Sequence, residues 1–222
     1  MIALATFRLA AYVRSHRVYQ AFLLALAMLA IIHGNRAPRG AEASVLTDGA
    51  ILLIPILAWA ARSLLDTEPD RQREMSAIQV GGRAREVAAG LLAAFAACAA
   101  FSGLGLALAL LLGVTGTPPS GVLGAALVLH VLAALAGTAL GALTSRVILP
   151  SPAVSIMLLL LGFLAMLLIS ASPLYWLTVP LIAWMKAANA GELLGQAPQL
   201  AAISLAWCVA GLVAYVWLRR GR

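Results

Sequence analysis

The side chains that could carry out chemistry are few, and their spacing matches no catalytic or metal-binding motif. The chain has eight Asp and Glu, three His and two Cys among 222 residues. It contains no HExxH, CxxC or Gly-x-Ser-x-Gly pattern. It also lacks the GxxxxGK[ST] loop that holds nucleotide phosphates, and it has a single lysine, Lys186. The sequence therefore predicts no catalytic residue, no metal site and no cofactor bound by this chain.

Two ionisable residues, Asp48 and His130, lie inside long apolar runs. Ionisable groups within a membrane are rare and mark paths for ions or substrates, so both residues are candidates for a translocation path. Each residue also has an alternative interpretation in which it has no role in transport. Asp48 would then lie at the level of the lipid headgroups, and His130 would be a histidine with its hydrogen bonds satisfied or one that faces a cavity.

The composition is that of an integral membrane protein. Hydrophobic residues make up 63% of the chain and charged residues 10%, and the mean hydropathy is +1.00. Charged residues form about a quarter of an ordinary soluble domain. The net charge of +7 comes from arginines at the ends of apolar runs, which indicates membrane orientation and excludes a nucleic-acid interface.

Six segments are apolar and long enough to approach the roughly 20 residues that a membrane helix needs. They are Val18–His33, Ala43–Leu65, Val87–Val114, Gly121–Thr144, Ala153–Ala171 and Leu200–Leu218. We therefore expect an all-α integral membrane protein, with residues 1–222 forming a single transmembrane domain.

The basic residues fall almost entirely on one side of these six segments. With a cytoplasmic N-terminus, twelve arginines are inside, and only Arg36, Arg39 and Lys186 are outside. This bias follows the positive-inside rule and predicts that both termini are cytoplasmic. The arginine-rich, lysine-poor composition favours a bacterial protein, and hence the plasma (inner) membrane of a bacterium.

Two segments outside the spans have an amphipathic character. Residues 1–17 place Arg8 and Tyr12 on one helical face, which predicts an interfacial helix or an inner extension of the first span. Residues 172–199 are too apolar for a solvated loop and too rich in proline for a span. They predict a short re-entrant or interfacial hairpin on the outer face, with Tyr175, Trp176 and Trp184 at the membrane interface.

The most polar stretch of the chain is residues 66–85, DTEPDRQREMSAIQVGGRAR. It predicts a short cytoplasmic helix over roughly Glu68–Val80, begun by a capping box from Thr67 to Asp70 and ended by Gly81-Gly82. Ion pairs are expected three residues apart. These pairs are Asp70–Arg73 and Arg71–Glu74. Such a helix is either a docking surface for a partner or a solvated connector between two spans.

The layout resembles the permease subunit of an ABC exporter, of the ABC type-2 permease family. AYVRSHRVYQ is similar to the family's N-terminal connecting helix, WAARSLLDTEPDRQREMSAIQVGGRAREVAAG to its cytoplasmic coupling helix, and SPLYWLTVP to its outer re-entrant helices. The resemblance lies in architecture more than in single residues. It implies a transport subunit without enzymatic activity of its own, paired with a second permease that is identical or paralogous.

The same resemblance implies that a separate ATP-binding cassette ATPase, which holds the ATP and Mg, docks on the charged helix. The residues that would couple to it are Glu68, Asp70, Arg71, Arg73, Glu74, Met75 and Ile78. Few polar residues line the spans, which favours a hydrophobic or amphipathic substrate. Two alternatives stay open: an ion-coupled secondary transporter, and a permease of the cytochrome c maturation type.

Overall fold

A computed structural model of the protein describes residues 1–220. Over these residues the fold is all-helical, and the only β pairing is an isolated bridge between Ala37 and Val114. Gly221 and Arg222 lie outside the described residues, so the structure does not place Arg222, one of the arginines assigned to the inner side. The side chain of Arg220 is likewise not described.

Nine α-helices follow one another along these residues. They are α1 (Ile2–Arg14), α2 (Arg17–Ile32), α3 (Glu42–Leu65), α4 (Asp70–Gln79), α5 (Arg83–Leu108), α6 (Ser120–Leu143), α7 (Pro152–Ala171), α8 (Leu181–Asn189) and α9 (Leu193–Arg220). A π-helical turn, Ala109–Gly113, continues α5, and a short 3₁₀ turn, Tyr175–Leu177, precedes α8.

Five of these helices are long and apolar enough to cross a membrane: α3, α5 with its π turn, α6, α7 and α9. A sixth span results if α1 and α2, which meet at an angle of 74°, are counted together. Helix α2 alone has 16 residues, fewer than the roughly 20 that the bilayer core requires. The chain is thus a multi-pass membrane protein, as predicted, with five spans, or the predicted six if α1 and α2 form one broken span.

Helices α3 and α6 form the centre of the bundle. In their apolar stretches 61% of the residues are buried, against 17% in α7 and 22% in α9. The close contact depends on two glycines of α6. A Cβ added at Gly137 would lie 2.5 Å from the Cβ of Leu57, and one at Gly141 would lie 2.8 Å from the Cβ of Ala61. The two glycines form a Gly-x-x-x-Gly motif, in which small residues let membrane helices approach closely.

The charged segment differs in detail from its prediction. Helix α4 begins at Asp70, with extended Pro69 before it, so Glu68 precedes the helix. The Thr67 hydroxyl donates to the Ser63 carbonyl, and the predicted capping box is wrong because that bond turns the hydroxyl towards α3. The turn at Gly81-Gly82 is confirmed, with φ of +81° and +131°, values that favour glycine.

The segment before the last helix also differs. Helix α9 starts at Leu193, seven residues before the predicted span, and runs through Pro198. A proline at this position removes one helical hydrogen bond, to the carbonyl of Leu194. Trp184 is fully buried in α8 and donates to the Ser204 hydroxyl at 3.2 Å, so its assignment to the interfacial aromatic residues is wrong.

We predict that Gly141→Ala destabilises the protein, because the new Cβ would also meet the carbonyl oxygen of Ala58 and the nitrogen of Arg62, at 2.9 Å from the latter. Overpacking of this kind costs about 1–3 kcal/mol. The measurement is the thermal unfolding midpoint of the purified protein in detergent. Gly124→Ala is the matched control on α6, since no atom lies within 4 Å of its added Cβ. Equal midpoints for the two variants would contradict the close contact between α3 and α6.

Candidate functional site

The strongest polar interactions meet at the end of the bundle where α3 and α6 finish and α5 begins, which we call the arginine-rich end. Their centre is Glu86, in the first turn of α5, with a side chain 1% exposed. Its Oε1 lies 2.6 Å from Nη2 of Arg8 on α1, and its Oε2 lies 2.9 Å from Nη2 of Arg219 on α9. One carboxylate therefore joins the first, fifth and last helices.

The local sequence makes room for this arrangement. Glu86 lies where the dipole of α5 favours negative charge, and Arg219 lies in the last turn of α9, where positive charge is favoured. Gly90, one turn beyond Glu86, leaves space for the Arg8 guanidinium, since an added Cβ would lie 2.6 Å from Nη1. That Nη1 also donates to the main-chain carbonyl of Glu86 at 3.0 Å.

Glu68 extends these contacts to α4. The Arg8 guanidinium donates to Glu68 as well as to Glu86, and the second oxygen of Glu68 accepts a hydrogen bond from Ser76 at 2.7 Å. We call Arg8, Glu68, Ser76, Glu86 and Arg219 the Glu86 network. It connects α1, α4, α5 and α9 through side chains that are all nine-tenths or more buried.

A second polar cluster surrounds Asp66, just after α3. The Asp66 carboxylate accepts a hydrogen bond from the main-chain N–H of Arg146 at 2.9 Å and lies 3.8 Å from the Arg62 guanidinium. Arg17 donates to the Asp66 carbonyl at 3.1 Å, and Arg62 also donates to Ser155 on α7. Burial raises the pKa of Asp66, and the Arg146 N–H and the nearby arginines oppose that rise. The cluster holds the start of α2 and the connection between α6 and α7 against α3.

The other side of α4 is exposed. Arg71, Glu74, Met75 and Ile78 are spaced i, i+3, i+4 and i+7, so they share one helical face. Met75 is 58% and Ile78 81% exposed, a large apolar area for so polar a helix. We call these four residues the α4 face.

The seven residues predicted to contact a partner thus fall into an exposed and a buried group. Asp70, Arg71, Glu74, Met75 and Ile78 are exposed. Glu68 and Arg73 are buried and bind within the chain, and Arg73 donates to the Leu65 carbonyl at 2.5 Å. The sequence could not reveal this, because the partner of Glu68 is Arg8, sixty residues away.

Of the two expected ion pairs on α4, one is present. Asp70 and Arg73 are 3.2 Å apart. An Arg71–Glu74 salt bridge is absent from residues 1–220, so this predicted pair is wrong: both side chains extend from the exposed face.

The two candidates for a translocation path lie on the central helices. Asp48 on α3 has a buried Oδ1 without a hydrogen-bond partner in residues 1–220. His130 on α6 is 4% exposed, and its Nδ1 lies 2.8 Å from the Ala126 carbonyl while its Nε2 has no partner there. One ring nitrogen of His130 is thus satisfied within the described chain and the other is not. Within the same residues, no group of three or more His, Cys, Asp or Glu could hold a metal ion.

Sequence reasoning missed His33, which is 7% exposed and has no partner for either ring nitrogen within the described chain. Its ring lies between Gly49 of α3 and Gly113 of the π turn. Beside it, the Ala37 N–H donates to the Gly113 carbonyl at 2.8 Å and ties two loops together. Burial lowers the pKa of His33 and favours its neutral form. No local signal marks this site, since Gly113 is eighty residues from His33.

Sequence reasoning used Arg219 only as a marker of orientation and placed Arg8 on a face of the N-terminal helix, and it did not single out Glu86. One signal was present: Glu86 is an acid at the entry of a membrane span, where an unpaired carboxylate would be costly. That signal predicts a basic partner without identifying it.

No family model matches the sequence, and the searches of curated proteins and of solved structures gave no match either.

We predict that Glu86→Gln strongly destabilises the protein, because two buried guanidinium groups lose their shared carboxylate. Removing one partner of a buried ion pair costs about 3–5 kcal/mol. The measurement is the thermal unfolding midpoint in detergent. Glu74→Gln on the exposed α4 face is the matched control and should leave the midpoint unchanged. Similar midpoints for the two variants would show that Glu86 does not hold the helices together.

Proposed function

We propose that this chain is the permease subunit of an ATP-driven exporter of the ABC type-2 kind. One observation carries the proposal: α4 has an exposed face of mixed charge and apolar residues, while its other side is joined through the Glu86 network to α1, α5 and α9. A coupling helix needs both properties, a surface for a partner and a firm connection to the membrane helices.

In this proposal the partner is a separate ATP-binding cassette ATPase that holds ATP and Mg. Arg71 and Glu74 would pair with charges of the ATPase, and Met75 and Ile78 would fill an apolar recess of its surface. Charged pairs set the orientation of such contacts, and buried apolar side chains supply much of their energy.

Movement of the ATPase would reach the spans through Glu68 and Glu86. Separating α4 from α1 and α5 would leave buried charges unpaired, which is strongly unfavourable. The lower-energy response is for these helices to move together with α4. Closure of two ATPase subunits would then displace α5 and α9 in each of two permeases, either identical or paralogous.

The orientation belongs to the same proposal. The arginine-rich end would face the cytoplasm of a bacterium, with both termini inside, in agreement with the positive-inside rule. Helix α1 exposes Ile2, Phe7 and Val13, which would contact the inner leaflet as an interfacial helix. The segment 172–199, which contains α8, would form the outer re-entrant structure.

Ion-coupled transport is the second candidate function, and two buried atoms without a partner in the described chain, Asp48 Oδ1 and His130 Nε2, favour it. Both side chains lie on the two central helices, where a proton or cation path would be expected. The two candidates differ in their energy source: transport by the second would be driven by an ion gradient and would require no ATPase.

We predict that cysteines introduced as Pro38→Cys, Thr117→Cys and Glu192→Cys react with an impermeant maleimide added outside intact cells, whereas Gln79→Cys does not. All four positions are exposed in the structure. The native Cys98 and Cys208 are buried and should give little background. Labelling of Gln79→Cys without cell lysis would overturn the orientation and the coupling role of α4.

We predict that reversing charges on the α4 face removes the ATPase without unfolding the permease. Disrupting an interfacial charge pair costs about 2–5 kcal/mol, more than a tenfold loss of affinity. The tagged chain is purified from its native membranes as wild type, Arg71→Glu and Glu74→Arg. ATP hydrolysis by each complex and the unfolding midpoint of each permease are then measured.

Arg39→Glu and Glu192→Arg are the matched controls, because these charges are exposed far from α4. The chain stripped of partners should hydrolyse no ATP. Glu68→Arg should instead lower the unfolding midpoint of the permease, since Glu68 is buried in the Glu86 network. Wild-type hydrolysis by both α4-face variants would show that α4 is only a connector.

A further inference from the structure

A cavity of about 950 Å³ opens at the arginine-rich end, between α4, the segment 146–150 and the ends of α5 and α9. Its wall contains five arginines and five carboxylates. They are Arg17, Arg73, Arg83, Arg146 and Arg219, with Asp66, Glu68, Asp70, Glu74 and Glu86. The volume is that of a typical small-molecule site.

Most of the carboxylates in this wall are already neutralised. Glu68 and Glu86 pair with Arg8 and Arg219 in the Glu86 network, Asp66 pairs with Arg62, and Asp70 pairs with Arg73. Arg8 and Arg62 contribute from outside the wall, so seven arginines face five carboxylates and the cavity region has a net charge of +2.

Three guanidinium groups are left over, those of Arg17, Arg83 and Arg146. None of them forms a salt bridge with a carboxylate of residues 1–220, and Arg17 donates only to a main-chain carbonyl. All three side chains are exposed, so an incoming anion could reach them without displacing a protein carboxylate. Guanidinium groups bind phosphate well, because their paired N–H donors match its oxygens.

The cavity also adjoins the lipid-facing surface. Its wall includes Pro150, and α7 starts two residues later at Pro152. Helix α7 presents Val154, Met157 and Leu158 outward as exposed apolar side chains. In a membrane protein such side chains contact acyl chains. A molecule with its anionic group in the cavity could therefore extend its hydrocarbon chains along α7.

We propose that this cavity binds the phosphate of an anionic membrane lipid, with Arg17, Arg83 and Arg146 as its ligands. A cation surplus beside an apolar wall fits an amphipathic anion better than a soluble one, because only the amphiphile gains from both surfaces. The proposal does not depend on the transport function, and the binding test below contains no ATPase and no ATP.

The test compares the wild-type chain with the triple variant Arg17→Gln, Arg83→Gln and Arg146→Gln. A matched triple variant, Arg14→Gln, Arg39→Gln and Arg85→Gln, loses the same charge from exposed arginines outside the cavity wall. Each protein is delipidated in mild detergent and titrated with dioleoyl phosphatidylglycerol, and the bound lipid is counted by native mass spectrometry. Thermal unfolding midpoints verify that both triple variants are folded.

We expect phosphatidylglycerol to bind the cavity variant about tenfold or more weakly than the wild type, as the loss of charge-assisted phosphate contacts predicts. The matched variant should bind like the wild type, and sn-glycerol 3-phosphate should not displace the lipid. Equal losses in the two triple variants would mean that the lipid responds only to net charge and would overturn the site. Displacement by glycerol phosphate at the concentration of the lipid would overturn the assignment to a lipid.

Discussion

The arginine-rich end depends on the buried charge of Glu86. A carboxylate removed from water costs several kcal/mol unless cations and hydrogen bonds replace its hydration. Arg8 and Arg219 supply these, and they come from opposite ends of the chain. The side chain of Glu86 therefore pairs with both the first and the last helix. If either helix moved away from α5, Glu86 and the departing arginine would lose an ion pair.

Helix α4 uses its two sides differently. Glu68 and Ser76 turn one side into the Glu86 network, and Arg73 adds its bond to the end of α3. The polar side chains on that side therefore form their hydrogen bonds and ion pairs within the chain. Arg71 and Glu74 have no such contacts and stand beside exposed apolar residues, which is the composition of a protein interface more than of a solvated loop. The same helix thus has a connection inward and a surface outward, and the proposed coupling role requires both.

The two ends of the bundle differ in how their carboxylates are satisfied, although Arg8 Nε and the Tyr12 hydroxyl at the arginine-rich end also lack a hydrogen-bond partner within residues 1–220. At the arginine-rich end most carboxylates are paired, and this pairing favours helices that move as a unit. Towards the opposite end, Asp48, His33 and His130 each keep a buried polar atom without a partner in the described chain. Buried polar atoms of this kind are uncommon and are often satisfied by water or a ligand. In the proposed exporter, polar parts of the substrate or water would meet these groups along the central helices α3 and α6.

The amino-acid sequence by itself determined the membrane class, the approximate spans, the helix in the charged segment and the turn at Gly81-Gly82, because hydropathy and backbone preference are local properties. It did not determine which charges of that segment face a partner. Glu68 turns inward only because Arg8 lies beside it in the fold, and Glu86 is neutralised by residues 78 and 133 positions away. The sequence pattern assigns Trp184 to the membrane interface, but in the fold its side chain is buried and binds Ser204 of α9. Such pairings depend on which helices become neighbours, and only the tertiary structure decides that.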